Sequence, residues 1–235
     1  ASKYTGYPLF ASPDSYAKSL KDAGFNVFLT ANNHCLDRGK TGLERTIHVL
    51  HSMQVRRAGT YKDEQDKALE YPLLIYKNGI RIAMLNYTYG MNGLVVKTPN
   101  LVNVIDTAVM KRDIERCRQL DAHFIITTIH WGDEYVIQPN REQQALKKFL
   151  TSQGVDLIVG SHPHVIQPLV KEVEDGKIKH AVAYSLGNFV SNMDRTLTDG
   201  GMLLTVDIRR DSSAVKAVIN SVAYSLVYVH KSFRY

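Results

Sequence analysis

Apolar runs of strand length alternate, along the first two thirds of this chain, with segments in which apolar residues recur at helical spacing. Three of these runs lead into polar loops that contain histidine. They are residues 25–31, 124–129 and 156–160. Runs of this length that are bounded by turn residues are typical of buried strands. The pattern therefore predicts three buried strands, each followed by a polar loop.

The segments between the runs predict helices. Residues 40–53 carry one apolar helix face, which indicates an amphipathic helix. The residues on that face are Leu43, Ile47, Leu50 and His51. Further helices are predicted over residues 107–120 and 141–153. A short helix is predicted over residues 13–23, with Ser12 as its N-cap and Gly24 after its end.

The last third of the chain has a different pattern, in which strands follow one another through tight turns. The predicted strands cover residues 165–174, 177–185, 202–209 and 215–229. Asn78-Gly79 also predicts a hairpin, between strands at 73–76 and 80–87. Residues 88–104 read as an irregular loop. This order predicts an α/β sheet joined to a second, largely antiparallel sheet in one domain.

Composition excludes several classes of protein. The hydrophobic content of 44% and charged content of 22% are those of a globular protein with a sizeable core. The formal charge of +6 comes from scattered basic residues, which does not favour nucleic-acid binding. No apolar stretch has the roughly 20 residues that a membrane span needs. Cys35 and Cys117 make no disulfide framework, and Cys35 reads as a small buried residue before it reads as a ligand or nucleophile.

Ser161-His162-Pro163-His164 is the sequence motif with the most specific metal chemistry. Two histidines at i and i+2 point the same way on an extended backbone. Pro163 biases the preceding residue towards that geometry, and Gly160 allows the backbone to turn closely around an ion. The motif predicts His162 and His164 as metal ligands. The alternative is a pair of surface-loop histidines.

His130 ends another predicted strand, and a lone histidine there is more often a core or rim residue. In an open parallel sheet, however, the carboxyl ends of the strands share one edge, where ligands bind. We therefore expect His130 to join His162 and His164 at that edge. Glu134 has two readings, a role beside the metal or substrate and a solvated acid, and the residues favour the second.

The turn after the first predicted strand contains Asn33, His34 and Asp37. Asparagine offers a carbonyl oxygen to a metal, and His34 is able to donate a proton to a leaving group. Asp37 is spaced to accept a hydrogen bond from His34 and so to fix its tautomer. The alternative, a turn that caps the next helix, fits the residues equally well. Asn188 follows a further apolar run, and the sequence favours a turn residue over a site residue at this position.

Four motifs resemble the CapA family, whose members are linked to poly-γ-glutamate capsule synthesis and belong to the calcineurin-like metallophosphoesterase superfamily. The motifs are Ala31-Asn32-Asn33-His34 with Asp37 and Gly39, His130-Trp131-Gly132 with Glu134, Gly160-Ser161-His162-Pro163-His164, and Tyr184-Ser185-Leu186-Gly187-Asn188-Phe189. They occur in the family order, and the resemblance runs from about Tyr4 to Tyr228.

The resemblance implies a four-layer α/β/β/α sandwich of two mixed β-sheets with a centre of two divalent metals, Zn, Mn or Fe. Asn33, His130 and His162 would hold one metal and His164 the other. The resemblance also implies that His34 donates the proton to the leaving group. Glu134 and Asn188 would lie on the substrate side of the centre.

Two acidic motifs of the family have no counterpart in this sequence. They are a Gly-Asp motif and an Asn-Leu-Glu motif, which supply carboxylate ligands that include a bridging aspartate. The resemblance therefore implies one domain over residues 1–235 whose N-terminal strands lie upstream of Ala1, and whose C-terminal end is also clipped.

Three functional hypotheses follow. The first is a metal-dependent hydrolase of the cell envelope, outside the cytoplasm, that acts on an anionic polymer or on a small phosphate or amide substrate. The second is a non-catalytic capsule-assembly component that binds the polymer or other capsule-synthesis proteins. The third is an α/β domain whose histidines are structural.

Overall fold

The computed structural model describes residues 4–230. The chain forms two compact units, and each is described by itself. The first unit comprises Met84–Asp106 and the described part of Ala1–Leu73. The second unit comprises Leu74–Ala83 and the described part of Thr107–Tyr235.

Helices are interspersed with strands up to Ser152, and strands follow one another after that residue. The helices are α1 (Asp14–Asp22), α2 (Gly39–Ser52), α3 (Glu64–Glu70), α4 (Thr107–Gln119) and α5 (Arg141–Ser152). The strands are β1 (Val27–Leu29), β2 (Arg56–Ala58), β3 (Thr60–Tyr61), β4 (Leu73–Lys77), β5 (Ile80–Thr88), β6 (Leu101–Val102), β7 (Phe124–His130), β8 (Leu157–Ser161), β9 (Leu169–Glu174), β10 (Lys177–Ala183), β11 (Gly200–Arg209) and β12 (Val218–Tyr228).

The first unit is built from short strand pairs and the amphipathic helix α2. Strand β1 pairs in parallel with β2, and β3 pairs antiparallel with β6. Leu43 and Ile47, one turn apart on α2, pack with Leu36 in a buried apolar cluster. This cluster places the turn between β1 and α2 against the helix that follows it.

The second unit contains the main sheet. Its strand order is β11-β12-β10-β8-β7-β5-β4, and β9 pairs with β10 beside this path. The pairs β7·β8 and β8·β10 are parallel, whereas β9·β10, β10·β12 and β11·β12 are antiparallel. Phe124, Leu157 and Ala181, from the three parallel strands, pack together in the core. The sheet is therefore mixed, and the α/β prediction is confirmed.

Most predicted elements occur with shifted ends. The hairpin at Asn78-Gly79 is confirmed, and both turn residues have the positive φ, 50° and 76°, that its type I′ geometry requires. The first predicted strand is shorter than expected and is not fully buried, since Leu29 is 41% exposed. Its only partner among the described strands is the three-residue β2.

Two details of the helix predictions are wrong. Pro13, not Ser12, is the N-cap of α1, and no side chain caps that end. His51 is exposed and lies off the buried face of α2, which Leu43, Ile47 and Leu50 form.

Within residues 4–230, none of the helices has the length and apolar character to cross a bilayer.

Candidate active site

The parallel pairing of β7 with β8 brings the ends of both strands together in the second unit. His130, the last residue of β7, lies opposite Ser161, the last residue of β8. The His130 Nδ1 atom is 3.0 Å from the Ser161 hydroxyl oxygen. The shared edge predicted from the sequence is therefore present for these two strands, and it fixes where the following loops begin.

His162 and His164 adopt a backbone that the sequence did not predict. Their φ angles are 104° and 59°, in the region that non-glycine residues rarely occupy, so the extended backbone expected from Pro163 is wrong. The Pro163 carbonyl oxygen accepts a hydrogen bond of 2.7 Å from the Tyr135 amide, which ties this turn to the loop after β7. Strained backbone of this kind persists where surrounding contacts hold it, and it clusters at functional sites.

The rings of His130, His162 and His164, hereafter the rim histidines, lie close together. The centroids of the His130 and His162 rings are 4.8 Å apart, and those of His162 and His164 are 6.2 Å apart. His162 is buried, with 7% of its surface exposed. Three of the predicted ligands, from two strand ends, are therefore brought together in one unit.

Asn188 connects His164 to the loop before β11. Its Oδ1 atom lies 3.0 Å from His164 Nδ1, and its Nδ2 donates to the Thr198 carbonyl oxygen at 2.8 Å. Asn188 is 9% exposed. Both polar groups of this buried amide contact the protein, and one of them orients a rim histidine.

Tyr135 and Arg195 were not predicted from the sequence, and both lie beside His164. The Tyr135 ring stacks on the His164 ring with centroids 6.1 Å apart, and Arg195 Cζ lies 4.2 Å from the Tyr135 centroid. A tyrosine next to Glu134 and an arginine in a polar loop carry no periodic signal. Only the folding of the two loops onto His164 reveals them.

A buried amide network supports the loop that carries Tyr135. Gln143, 1% exposed, accepts from the Asn140 amide and donates to Gln167 Oε1 at 2.8 Å. Gln167 in turn donates to the Val136 carbonyl oxygen at 2.8 Å. A methyl group at Gly132 would overlap the Gln143 side chain, so this glycine keeps the loop close to α5.

Gly160 has a different role from the one predicted for it. It lies within β8, and a methyl group there would overlap the Tyr184 carbonyl oxygen and the Trp131 indole. The Trp131 indole nitrogen donates to that carbonyl oxygen at 2.9 Å. Gly160 therefore permits close packing beneath the rim rather than a turn around an ion.

Glu134 lies exposed in the loop after β7. Among the described residues, no hydrogen bond or ion pair joins it to a rim histidine. Its exposure agrees with the reading as a solvated acid, and a role towards substrate stays a prediction.

The first unit contains a histidine–aspartate pair in the turn after β1. His34 Nδ1 is 2.8 Å from Asp37 Oδ2, and the Asp37 side chain is only 3% exposed. The same oxygen accepts the Phe10 amide at 2.8 Å, and the Phe10 ring lies edge-on to the His34 ring at 4.6 Å. The Asn32 side chain closes the turn by accepting from the His34 amide at 2.8 Å. This pair has the geometry of an imidazole held in one tautomer.

Asn33 is buried in the same turn, with 5% exposure. Its Nδ2 donates to Asn92 Oδ1 at 3.1 Å. The Asn92 contact was not predicted, because residues 88–104 gave only a loop pattern. Since the amide donates through its nitrogen, its carbonyl oxygen is the atom with metal-ligand chemistry.

Cys35 does not have the chemistry of a ligand or nucleophile. Burial raises the pKa of its thiol to about 11, so the thiol is protonated at neutral pH. Cys35 packs instead against the apolar cluster of Leu36, Leu43 and Ile47.

A cavity of about 350 Å³ opens beside the histidine–aspartate pair in the first unit. Phe10, His34, Asp37 and Arg45 are among its lining residues. The Arg45 guanidinium binds both Asp14 carboxylate oxygens, at 2.6 and 2.9 Å, so its charge is compensated within the protein.

The rim histidines fit a divalent metal in part. The Nδ1 atoms of His130 and His164 contact the Ser161 and Asn188 oxygens, and a metal-bound histidine usually makes such a contact through one ring nitrogen while the other binds the ion. Imidazole suits Zn, Mn or Fe. Within residues 4–230, however, no group of three or more His, Cys, Asp or Glu side chains already has the arrangement of a metal site. The described residues therefore supply imidazole donors at the rim, but not a complete metal site.

The chain matches a family model and two curated relatives. A family model described as "Bacterial capsule synthesis protein PGA_cap" matches residues 1–193. The "Capsule biosynthesis protein CapA" of Bacillus anthracis is 29% identical over 215 residues, which are 89% of this chain and 50% of that protein. The "PGA biosynthesis protein CapA" of Bacillus subtilis (strain 168) is 31% identical over 201 residues, 83% of this chain and 50% of that protein. The chain spans about half the length of these curated relatives.

Solved structures show the same fold at low identity. The calcineurin-like phosphoesterase YfkN from Bacillus subtilis matches with a TM-score of 0.56 at 14% identity, over 89% of this chain and 65% of that chain. The NAD nucleotidase NadN of Haemophilus influenzae matches with a TM-score of 0.55 at 14% identity, over 92% of this chain and 42% of that chain. At this identity the likeness concerns the fold alone, and it confirms the metallophosphoesterase-type fold.

Proposed function

The chain belongs to the bacterial capsule synthesis protein family PGA_cap, and from this premise we propose that it carries a metal-dependent hydrolytic site of the phosphoesterase type. The predicted CapA-family resemblance is confirmed by the family match and by both curated relatives. Metal binding, hydrolysis and substrate are the parts that we propose.

The grouping of the rim histidines is the observation that carries the proposal. The centroids of the His130 and His162 rings are 4.8 Å apart, those of His162 and His164 are 6.2 Å apart, and His162 is buried. The Nδ1 atoms of His130 and His164 contact neutral oxygens of Ser161 and Asn188. A histidine held through one ring nitrogen in this way commonly binds a metal through the other.

His130, His162 and His164 would hold a divalent metal, Zn, Mn or Fe. A metal of this kind supplies Lewis acidity to the reaction at neutral pH. The predicted second metal and the predicted sharing of one metal between Asn33 and the rim histidines stay predictions.

The histidine–aspartate pair supplies proton chemistry. Asp37 contacts His34 Nδ1 and would orient the ring, so that His34 would donate a proton to the leaving group through Nε2. The Phe10 amide and ring restrain both partners. Asn188 positions His164, since both of its polar groups contact protein, and Glu134 remains a candidate for a substrate contact.

For the substrate we propose an anionic polymer of the capsule or a small phosphate or amide, with other capsule-synthesis proteins as partners. The names of the two relatives, which describe capsule and PGA biosynthesis, support this choice. We propose an extracytoplasmic place in the cell envelope on the same ground.

The test is a joint measurement of metal content and hydrolysis in the wild-type protein and in His130→Ala and His162→Ala. Generic phosphomonoester, phosphodiester and γ-glutamyl oligomer substrates cover the bond types. We expect both variants to lose bound metal and turnover together. Wild-type metal content and turnover in both variants would refute the proposal.

A non-catalytic role in binding the capsule polymer is the second candidate. The observation that favours it is that, within residues 4–230, no group of three or more His, Cys, Asp or Glu side chains has the arrangement of a metal site. Polymer binding that survives metal removal, with no hydrolysis of any of these substrates, would select it.

A further inference from the structure

An exposed guanidinium lies at the end of a continuous stack of planar groups in the second unit. Arg195 Cζ is 4.2 Å from the centroid of the Tyr135 ring. Tyr135 stacks in turn on His164, with centroids 6.1 Å apart and ring planes at 23°. The Tyr135 ring thereby links the cation of Arg195 to a rim histidine.

The loop that carries Arg195 is anchored to the same residue that orients His164. The Arg195 carbonyl oxygen accepts hydrogen bonds from the Thr198 amide and hydroxyl, at 3.2 and 2.7 Å. The Thr198 carbonyl oxygen accepts from Asn188 Nδ2, while Asn188 Oδ1 contacts His164. The backbone of Arg195 is therefore tied to His164 through Thr198 and the buried amide of Asn188.

The charge of Arg195 is not used within the described part of the chain. None of the ion pairs described for residues 4–230 includes Arg195, and the residue is exposed. Arg57 makes the contrast, because its guanidinium is buried and binds both carboxylate oxygens of Asp66. The N–H groups of a guanidinium lie in its own plane, and they match the two oxygens of a carboxylate or phosphate.

We propose that Arg195, stacked on Tyr135, determines substrate specificity by binding an anionic group, a carboxylate or a phosphate, beside the rim histidines. This inference rests on the proposed function, because it assigns the polyanion or phosphate substrate of that site to a named residue. A neutral substrate would leave Arg195 without a counter-charge.

The experiment is calorimetric titration of metal-stripped protein with two probes, a γ-linked glutamate decamer and inorganic phosphate. The variants are Arg195→Gln, Arg195→Lys and Tyr135→Leu, and Arg112→Gln on α4 is the matched control, since it removes an exposed arginine from the same unit. We expect Arg195→Gln to bind at least one probe about tenfold more weakly. Arg195→Lys should restore binding only in part, because an ammonium lacks the planar fork. Tyr135→Leu should resemble Arg195→Gln.

The probe that responds identifies the anion. A loss confined to the decamer assigns the site to carboxylate, and a loss confined to phosphate assigns it to a phosphate group; either result supports the proposal. Unchanged binding of both probes in Arg195→Gln, or no binding of either probe by the wild-type protein, overturns it. Metal content and hydrolysis are measured separately, so failure here is distinguishable from failure of the proposed function.

Discussion

The two histidine-bearing regions of this molecule differ in what orients their imidazoles. In the first unit, the buried carboxylate of Asp37, three residues away, contacts His34 Nδ1, and the whole pair lies in one turn. In the second unit, neutral oxygens of Ser161 and Asn188, both distant in sequence from their histidines, contact His130 and His164.

Histidine is therefore suited to two kinds of chemistry in this chain, proton transfer and metal binding, according to the group that contacts its ring. An imidazole whose Nδ1 contacts a carboxylate is a common arrangement for proton transfer through Nε2. An imidazole whose Nδ1 contacts a neutral oxygen is a common arrangement for a metal ligand. We therefore expect substitutions in the two regions to affect separate measurements.

The largest effect is expected for His162→Ala, at the centre of the rim. Removing the buried ring should lower zinc affinity by more than about 100-fold, because a ligand is lost outright. Zinc titration with a competing chelator measures this. His51→Ala, which removes an exposed histidine from α2, is the control and should bind zinc as the wild type does. Equal zinc affinity in the wild type, His162→Ala and His51→Ala would show that the rim histidines do not bind the metal.

Asp37→Asn tests the other side of the comparison. Without the carboxylate, His34 loses the contact that orients its ring, and turnover should fall about 100-fold. Zinc affinity should stay at the wild-type value, since the rim histidines are untouched. If zinc affinity fell together with turnover, the division of roles between the two regions would be wrong.

Asn188→Ala and Ser161→Ala sharpen the comparison within the second unit. Asn188 is buried and also holds Thr198, so its loss should lower zinc affinity about tenfold. Ser161 is exposed, and its loss should have a smaller effect. The same zinc titration ranks the two variants, and the reverse order would show that the Asn188 contact does not orient His164 towards an ion.

Gly160→Ala probes the packing beneath the rim rather than its chemistry. The added methyl group would overlap the backbone at Tyr184, so the free energy of unfolding should fall by about 3 kcal/mol. Urea denaturation measures it. Gly200→Ala is the control, because a methyl group there meets only the Val227 carbonyl oxygen, at an ordinary 3.7 Å. Equal stability of the two variants would show that the strand packing is looser than described.

The smallest predicted effect concerns Asp156, which contacts the backbone of β7, and the pH dependence of the free energy of unfolding. Burial raises the pKa of Asp156 to about 6, although its Oδ2 accepts the Ile125 amide at 2.7 Å. Because the folded-state pKa lies above the unfolded value, the native state binds this proton more tightly, and stability should fall as pH rises from about 4 to 6. Asp156→Asn should remove this slope, which is worth about 2 kcal/mol or less. Urea denaturation across that pH range measures it, and an identical slope in both proteins would contradict the assignment.

The edge that gathers the rim histidines was predictable from the sequence, and its details were not. Apolar runs before His130 and His162 predicted strands, and parallel strands end at one edge, so their proximity followed from the pattern alone. The positive φ values at His162 and His164 were hidden, because Pro163 favours an extended neighbour and only tertiary contacts outweigh that preference. Gly160 was misread for a similar reason, since its close neighbour Tyr184 comes from another strand end.

The residues around the rim show the same limit. The Asp37 contact with His34 was predictable, because both residues lie in one short turn. The stack of Arg195 and Tyr135 on His164 joins three loops, and no local pattern encodes such a meeting. Gln143 and Gln167, whose buried amides support one of these loops, gave no signal beyond that of ordinary polar residues.

X-ray absorption at the zinc K-edge of the zinc-loaded protein tests the central claim most directly. The account predicts at least two imidazole nitrogens at about 2.0–2.1 Å from the ion, with one fewer after His130→Ala or His162→Ala. A shell of oxygen atoms alone, or a spectrum that neither substitution changes, would contradict it.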